Sequence, residues 1–319
     1  MTSFLDMEAV AAVAPLKEAS YPFARAEQLH EALRWCITDY YAKASLGKEF
    51  EARGLMVTGQ SRLGKTHEVK KLLTSFHAEN IKMPSGQPAR IITILLSRRM
   101  TWKDLGLAVL EALDYPLNGR RSQNYIWARV IDEAKRLGVI GIYFDECQHV
   151  FSKDNHKTNR NFLDSFKTLM KDARWPIMLI LSGVPELAGY VRSEEQLARL
   201  LRPVEFDEIR LPRDLQEMNN LAYSFADKAE LCFDELSTEN FLKRLSFACA
   251  NRWGLVIELI VEAFALCRRS GETSCTIDHF SKSFSLMYGT PFGYSPFEVE
   301  DYEAAFDPIV LLEHLTNDD

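Results

Sequence analysis

The sequence predicts an α/β chain, in which a parallel sheet with helices on both faces is followed by a small α-helical domain. Up to about Pro212, short apolar runs alternate with amphipathic helical stretches. That is the pattern of strands buried on both faces. A glycine-bounded turn, Gly59-Gln60-Ser61-Arg62-Leu63-Gly64-Lys65-Thr66, sits between the first apolar run and the helix after it. Beyond Pro212 the strand signals stop and only helical periodicity continues.

The 319 residues, 47% hydrophobic and 26% charged, leave room for one large domain and a smaller companion. Residues 1–20 carry no strong pattern, and Arg25–Lys43 reads as an amphipathic helix. Gly54–Thr58 reads as a buried strand and His67–His77 as the helix that leaves the glycine turn. Ala89–Ser97 is rich in β-branched residues and reads as a second strand. Trp102–Leu113 and Asn124–Leu137 are helical, separated by the Asn118-Gly119 turn. Val139–Phe144 is an apolar strand running into acid. Asn161–Ala173 is helical, Pro176–Leu181 a fourth strand, Glu194–Leu201 a short helix and Val204–Leu211 a fifth strand. Four helices follow, at Leu215–Lys228, Thr238–Ala250, Leu255–Arg269 and Ile277–Met287. The expected organisation is an N-terminal helical segment (1–53), a core (54–212), a helical lid (213–289) and an acidic tail (290–319).

No apolar run reaches membrane-spanning length. Residues 1–14 lack a basic leader and a cleavage site, so no secretory signal is expected. Six scattered cysteines without a CxxC pair point to reduced thiols in a cytoplasmic protein, with no zinc site or disulfide framework visible. The net charge of −7 is uneven, because eight acidic residues and no Lys or Arg lie from Thr290 onward. Setting those eight aside leaves +1 for the rest, so the chain's acidity does not exclude a nucleic-acid partner.

The turn at 59–66 fits G-x-x-x-x-G-K-[ST] at every position. Its glycines let the backbone wrap a phosphate closely, and its amides and the following helix N-terminus face the anion. Gly59, Gln60, Ser61, Arg62, Leu63, Gly64, Lys65, Thr66 and His67 are therefore candidate nucleotide-binding residues. Lys65 would reach the β- and γ-phosphates of ATP, and the Thr66 hydroxyl would help hold Mg²⁺. Roughly 80 residues later the strand Val139–Phe144 ends in Asp145-Glu146. Asp145 is the expected Mg²⁺ partner, and Glu146 stands where a base or water-orienting group is needed for attack on the γ-phosphate. His149 is read as a packing or coupling residue. Ser182, at the end of the fourth strand, would lie beside the γ-phosphate. Arg199 and Arg202 precede the fifth strand, where an arginine can reach a nucleotide held by a neighbouring subunit. Arg252, before Trp253-Gly254, could touch the nucleotide of its own chain.

Taken in order, these features resemble the AAA+ ATPases, and within them the TniB/TnsC regulators of DNA transposition. The closer resemblance rests on residues 54–70, Asp145-Glu-Cys-Gln-His149, Asn159–Lys167, Leu181-Ser-Gly-Val-Pro-Glu186, Gln196-Leu-Ala-Arg199 and the Trp253-Gly254 helix start. The pattern departs at Leu200, where an aromatic is expected, and at Ser182, where Thr or Asn is commoner. The resemblance implies an AAA+ P-loop parallel sheet with a helical lid, hydrolysis of ATP to ADP and phosphate, and ATP between subunits with Arg199 acting in trans. It also implies a homo-oligomer, a filament or ring, on duplex DNA without sequence specificity. Such an oligomer links a transposase to a target-selection protein, and hydrolysis drives its disassembly. Alternatives are a replication-initiator or clamp-loader-like AAA+ protein, against which no appended DNA-reading domain is visible after the lid, and a STAND-type signalling NTPase.

Contacts with duplex DNA would come from cations that meet phosphates. Between Ile81 and Arg136 the sequence carries ten basic and five acidic residues. Arg98, Arg99, Lys103, Arg120 and Arg121 are the candidates, with Lys153, Lys157 and Arg160 further on. The tail mixes acid with Phe297, Tyr302, Phe306 and Ile309–Leu312. It suits either a hook on a partner or next subunit, or packing on its own lid.

Overall fold

A computed structural model describes residues 7–96, 99–152 and 155–310. The strands that are continuous in apolar residues are the inner ones. β1 (Gly54–Thr58), β3 (Val139–Asp145) and β4 (Met178–Gly183) are buried along their whole length. β2 (Arg90–Leu95) and β5 (Leu201–Glu205) carry exposed positions, as edge strands do. All five pair in parallel in the order β2-β3-β4-β1-β5. β5 starts three residues before the expected Val204. Leu201 pairs with Gly54, and Pro203, which lacks an N–H, is tolerated on the exposed edge.

The chain divides into two compact units. One runs from Phe23 to Asp207; the other joins residues up to Pro22 with Glu208 onward. The residues expected to form one N-terminal segment thus fall into both units. In the sheet unit, α2 (Ala24–Ser45) packs on β1 and β5, and α3 (Lys65–Ala78) leaves the glycine turn. α4 (Trp102–Ala112) opens with a capping box between Thr101 and Asp104. It packs on α5 (Gln123–Leu137) through stacked Trp102 and Trp127 rings, 4.1 Å apart, and Trp127 Nε1–H donates to the Trp102 carbonyl at 2.9 Å. Phe162 and Phe166 of α6 (His156–Met170) meet Trp102 edge-on. α6 begins earlier than expected because Asn155 caps it, its side-chain oxygen accepting from the Thr158 N–H. α7 (Glu186–Arg192), which no sequence signal marks, follows β4, and α8 (Glu195–Leu200) leads into β5.

The other unit contains α1 (Met7–Glu18), α9 (Leu215–Ala229), α10 (Glu239–Ala248), α11 (Trp253–Arg269), α12 (Ile277–Tyr288) and α13 (Tyr302–Ala305). α1 packs on α9 and α11. The described part of the acidic tail also packs here. Phe297 meets Phe241, Phe280 and Phe284, and the Arg244 guanidinium donates to the carbonyls of Pro296 (2.6 Å) and Val299 (2.7 Å). Between the two uses of the tail left open by its sequence, packing on its own unit accounts for Phe297, Tyr302 and Phe306, while Phe292 and Tyr294 stay exposed.

Cys267, Cys275 and His279 are buried together, their ligand atoms within 4.8 Å of one another, a grouping the sequence spacing does not show. The histidine is already engaged on both nitrogens. Nδ1 accepts from the Thr276 N–H at 3.1 Å, and Nε2 faces the Glu272 carboxylate at 3.5 Å. This is a satisfied helix cap in which the ring offers no spare lone pair to a metal.

Candidate nucleotide-binding site

The register of the sheet brings the chemistry to one edge. Val57 and Thr58 of β1 stand opposite Ser182 and Gly183 of β4, and Phe144 of β3 stands opposite Leu181. The tips of three adjacent strands therefore present the 59–66 turn, Asp145-Glu146 and Ser182 side by side. Such carboxyl ends are where open α/β sheets bind ligands.

The turn itself is shaped by Gly59 and Gly64. A Cβ at Gly59 would lie 2.5 Å from the Phe206 carbonyl, so only glycine fits there. Gly64 is left-handed (φ 88°) and caps α3 without a side chain, and a Cβ on it would meet nothing within 4 Å. The space beside the loop is open where an anion would sit. Arg62 is also left-handed (φ 63°), which curls the loop into the kind of turn where successive N–H groups converge on an anion. Leu63 is fully buried and anchors the loop, while Ser61, Arg62 and His67 are exposed and Gln60 half-buried. In a phosphate-binding role the loop would act through its backbone. Lys65, 5% exposed, donates to the carbonyls of Gly59 and Gln60, both at 2.8 Å.

Asp145 is the hub. It is 1% exposed, and its Oδ1 accepts from Ser182 Oγ (2.5 Å), Thr66 Oγ1 (3.2 Å) and the Glu146 N–H (3.1 Å). Behind Ser182, the Tyr143 hydroxyl lies 3.0 Å from Ser182 Oγ. Burial, then the charge of Asp145, push the Tyr143 phenol up, so it stays protonated and donates to Ser182. Asp145 Oδ2 is buried and has no hydrogen-bond partner among the described residues. A buried carboxylate oxygen without a partner is costly unless a cation or its water completes it. Together with the Thr66 hydroxyl 3.2 Å from the same carboxylate, it fits Mg²⁺. Glu146 is left-handed (φ 56°), and its carboxylate accepts from the Gln148 side-chain amide. Sequence reasoning singles out neither Tyr143 nor Gln148. Tyr143 is hidden within an apolar strand, and Gln148 belongs to the Asp145–His149 run that carries the resemblance, but its spacing assigns it no role.

A family profile described as an AAA domain matches residues 48–191. The fold is AAA+. Cdc6p of Pyrobaculum aerophilum superposes with a TM-score of 0.60 at 12% identity, over 95% of this chain and 88% of that one. ORC1 of Aeropyrum pernix, solved in complex with DNA, gives 0.58 at 13% identity, over 89% and 72%. The RuvB Holliday junction branch migration motor of Thermotoga maritima gives 0.50 at 11%, over 87% and 72%. No curated protein sequence matches the chain.

Within this AAA+ fold the arginines are placed unequally. Arg199 is exposed at the end of α8 and paired with Glu195. β5 starts at Leu201 opposite Gly54, so Arg199 lies at the end of the sheet away from the turn. Five strand residues separate the two ends by about 16 Å, beyond the reach of an arginine side chain. Arg202 is exposed over the Trp35 ring at 5.5 Å. Arg252 belongs to the other unit and pairs with Glu208.

Arg98 and Lys153 lie outside the described residues. Arg99, Arg120 and Arg121 are exposed and Lys103 half-buried, and among the described residues none of the four forms an ion pair. Arg129 and Arg136 of the same basic stretch are used differently. Both hold Glu133, 3% exposed, at 2.8 and 2.6 Å. Part of that stretch's positive charge is therefore structural. Lys157 and Arg160 are exposed on α6. No helix among the described residues is long and apolar enough to cross a membrane.

Proposed function

We propose that this protein is a Mg²⁺-dependent ATPase whose nucleotide state controls its assembly on duplex DNA, and that it acts as a regulator of DNA transposition. The observation that carries the ATPase reading is the convergence of the glycine turn, Thr66, Ser182 and the buried, partly unpartnered Asp145 at the tips of three strands. In this reading the loop amides and Lys65 bind the β- and γ-phosphates, the ammonium leaving the carbonyls of Gly59 and Gln60 for the anion. Asp145 and Thr66 hold Mg²⁺, and Glu146 accepts the proton of the attacking water as ADP and phosphate form. When bound, the metal neutralises phosphate charge and orients the phosphoryl group. Ser182, on Asp145, responds to the γ-phosphate. Arg199, out of reach of its own turn, stabilises the transition state at the site of a neighbouring copy.

The DNA part rests on the exposed Arg99, Arg120 and Arg121 and the half-buried Lys103, with Arg98 as a further member, and draws support from the likeness to ORC1 solved with DNA. The transposition reading, with a transposase and a target-selection protein as partners in the cytoplasm, rests on the TniB/TnsC resemblance. The likeness to Cdc6p and ORC1 favours a second reading, a replication-initiator-like AAA+ protein. ATP turnover measured with duplex DNA, and then with a candidate transposase, separates them. Stimulation by transposase supports the first reading; stimulation by DNA alone, unaltered by any transposase, supports the second. Lys65→Ala abolishes ATP-dependent loading on DNA, and loading of that variant that still required ATP would contradict the site.

A further inference from the structure

The two adjacent carboxylates of the site are both tied to the end of β4. Asp145 is held directly by Ser182. Glu146 is held through an intermediary, because the Gln148 amide N–H donates to its carboxylate while Gln148 Oε1 accepts from the Val184 N–H at 3.2 Å. Only one orientation of the Gln148 amide satisfies both ends. Val184 offers a donor and so requires the oxygen; Glu146, as a carboxylate, requires the nitrogen. Between Ser182 and Val184 stands Gly183, where a Cβ would come 2.5 Å from Gln148 Oε1. The absence of a side chain at 183 is what admits the amide. His149, exposed beside it, makes no such bridge among the described residues.

We propose that Gln148 is the positioning residue for Glu146: its side-chain amide fixes the hydrolytic carboxylate to the backbone at the tip of β4, so that Glu146 is aligned by the same strand that carries Ser182. The inference rests on the ATPase reading and adds a residue to it. A carboxylate that must meet a water in line with a phosphoryl group gains rate from being held in one orientation. A left-handed backbone at Glu146 turns the side chain toward Gln148 but does not fix its outer torsions. The bridge does.

The test measures kcat, KM and Mg²⁺-ATP affinity with saturating duplex DNA for wild type, Gln148→Ala, Gly183→Ala and the double variant. Gly183→Ala keeps the glutamine but drives its flexible end out of the bridge. Each single variant is expected to lose roughly tenfold to a hundredfold in kcat, with ATP affinity within about twofold of wild type. The double variant is expected to be no slower than the singles, because one bridge is broken in all three. Gln148→Glu, which keeps the length but sets a carboxylate against Glu146, is expected to be as slow as Gln148→Ala. Wild-type or faster turnover by Gln148→Ala, additive losses in the double variant, or ATP affinity falling in step with kcat would each overturn the proposal. If Glu146→Gln abolishes turnover while Gln148→Ala does not, the inference alone fails; a wild-type chain without ATP turnover brings down the ATPase reading with it.

Discussion

Asp145 shows how much depends on a single side chain. Its Oδ1 takes three donors and its Oδ2 none. Ser182→Ala removes one donor and the hydroxyl that lies 3.0 Å from the Tyr143 phenol. A hydrogen bond to a charged, buried group is worth about 2 kcal/mol, so that loss of unfolding free energy is expected in denaturant titration, along with slower ATP turnover at nearly unchanged affinity. The cysteines give a second test. Of the six, Cys232 alone is exposed. Burial, offset by Arg202, pushes the Cys36 thiol up to about 12, and burial likewise raises Cys249. A thiol reagent at pH 8 is therefore expected to label one cysteine in the folded chain and six in denaturant. The same burial fixes the sign of the alkaline response. The folded thiols keep their protons while those of the unfolded chain ionise, so stability falls as pH rises from about 9 towards 12, and is unaffected by these groups below that range. At this scale Lys65, Thr66, Asp145 and Glu146 are legible in the sequence because phosphate and Mg²⁺ chemistry demands those residue types at that spacing. Gln148 and Tyr143 are not, since their roles emerge only when β3 and β4 are set side by side.

Among the elements, the inner strands are the most legible. β1 and β3 are unbroken apolar runs bounded by glycine or acid, and burial on both faces leaves no other use for them. β5 lies earlier than its expected span because Pro203 reads as a break, although an edge strand accepts it. α1 escapes a sequence reading because half of its residues are alanine or valine, with Pro15 among them, which gives little contrast between faces. α4 depends on its cap as well as its tryptophans. Thr101→Ala removes the acceptor for the Asp104 N–H and is expected to cost about 1 kcal/mol by thermal or chemical melting. The cations around α4 and α5 predict a salt effect. Replacing Arg99, Lys103, Arg120 and Arg121 together by alanine is expected to flatten the dependence of log affinity for DNA on log salt by up to about 0.9 for each phosphate no longer neutralised; an unchanged slope would remove these residues from the interface.

On the scale of the whole molecule, the sheet order and register decide what one chain can do alone. The turn and the acid pair share one edge, while Arg199 lies beyond the other end of β1 and β5. If Arg199 serves a neighbour's site, Arg199→Ala and Lys65→Ala are each inactive alone, but a mixture of the two regains turnover at the interfaces that pair an intact turn with an intact arginine. No recovery on mixing would place Arg199 outside catalysis. The division into units is only partly legible. The change from alternating strands to helices reads at Pro212, five residues past Asp207 where the sheet unit ends, and nothing in the sequence assigns α1 to the C-terminal helices. The central claim, that the strand tips hold a magnesium-bound triphosphate, is tested most directly by titration calorimetry of ATP into wild type and Asp145→Asn, with and without Mg²⁺. Saturable binding near one ATP per chain, strengthened by Mg²⁺ in wild type and indifferent to Mg²⁺ in Asp145→Asn, is the predicted result; no heat of binding in wild type, or equal Mg²⁺ dependence in both, would contradict it.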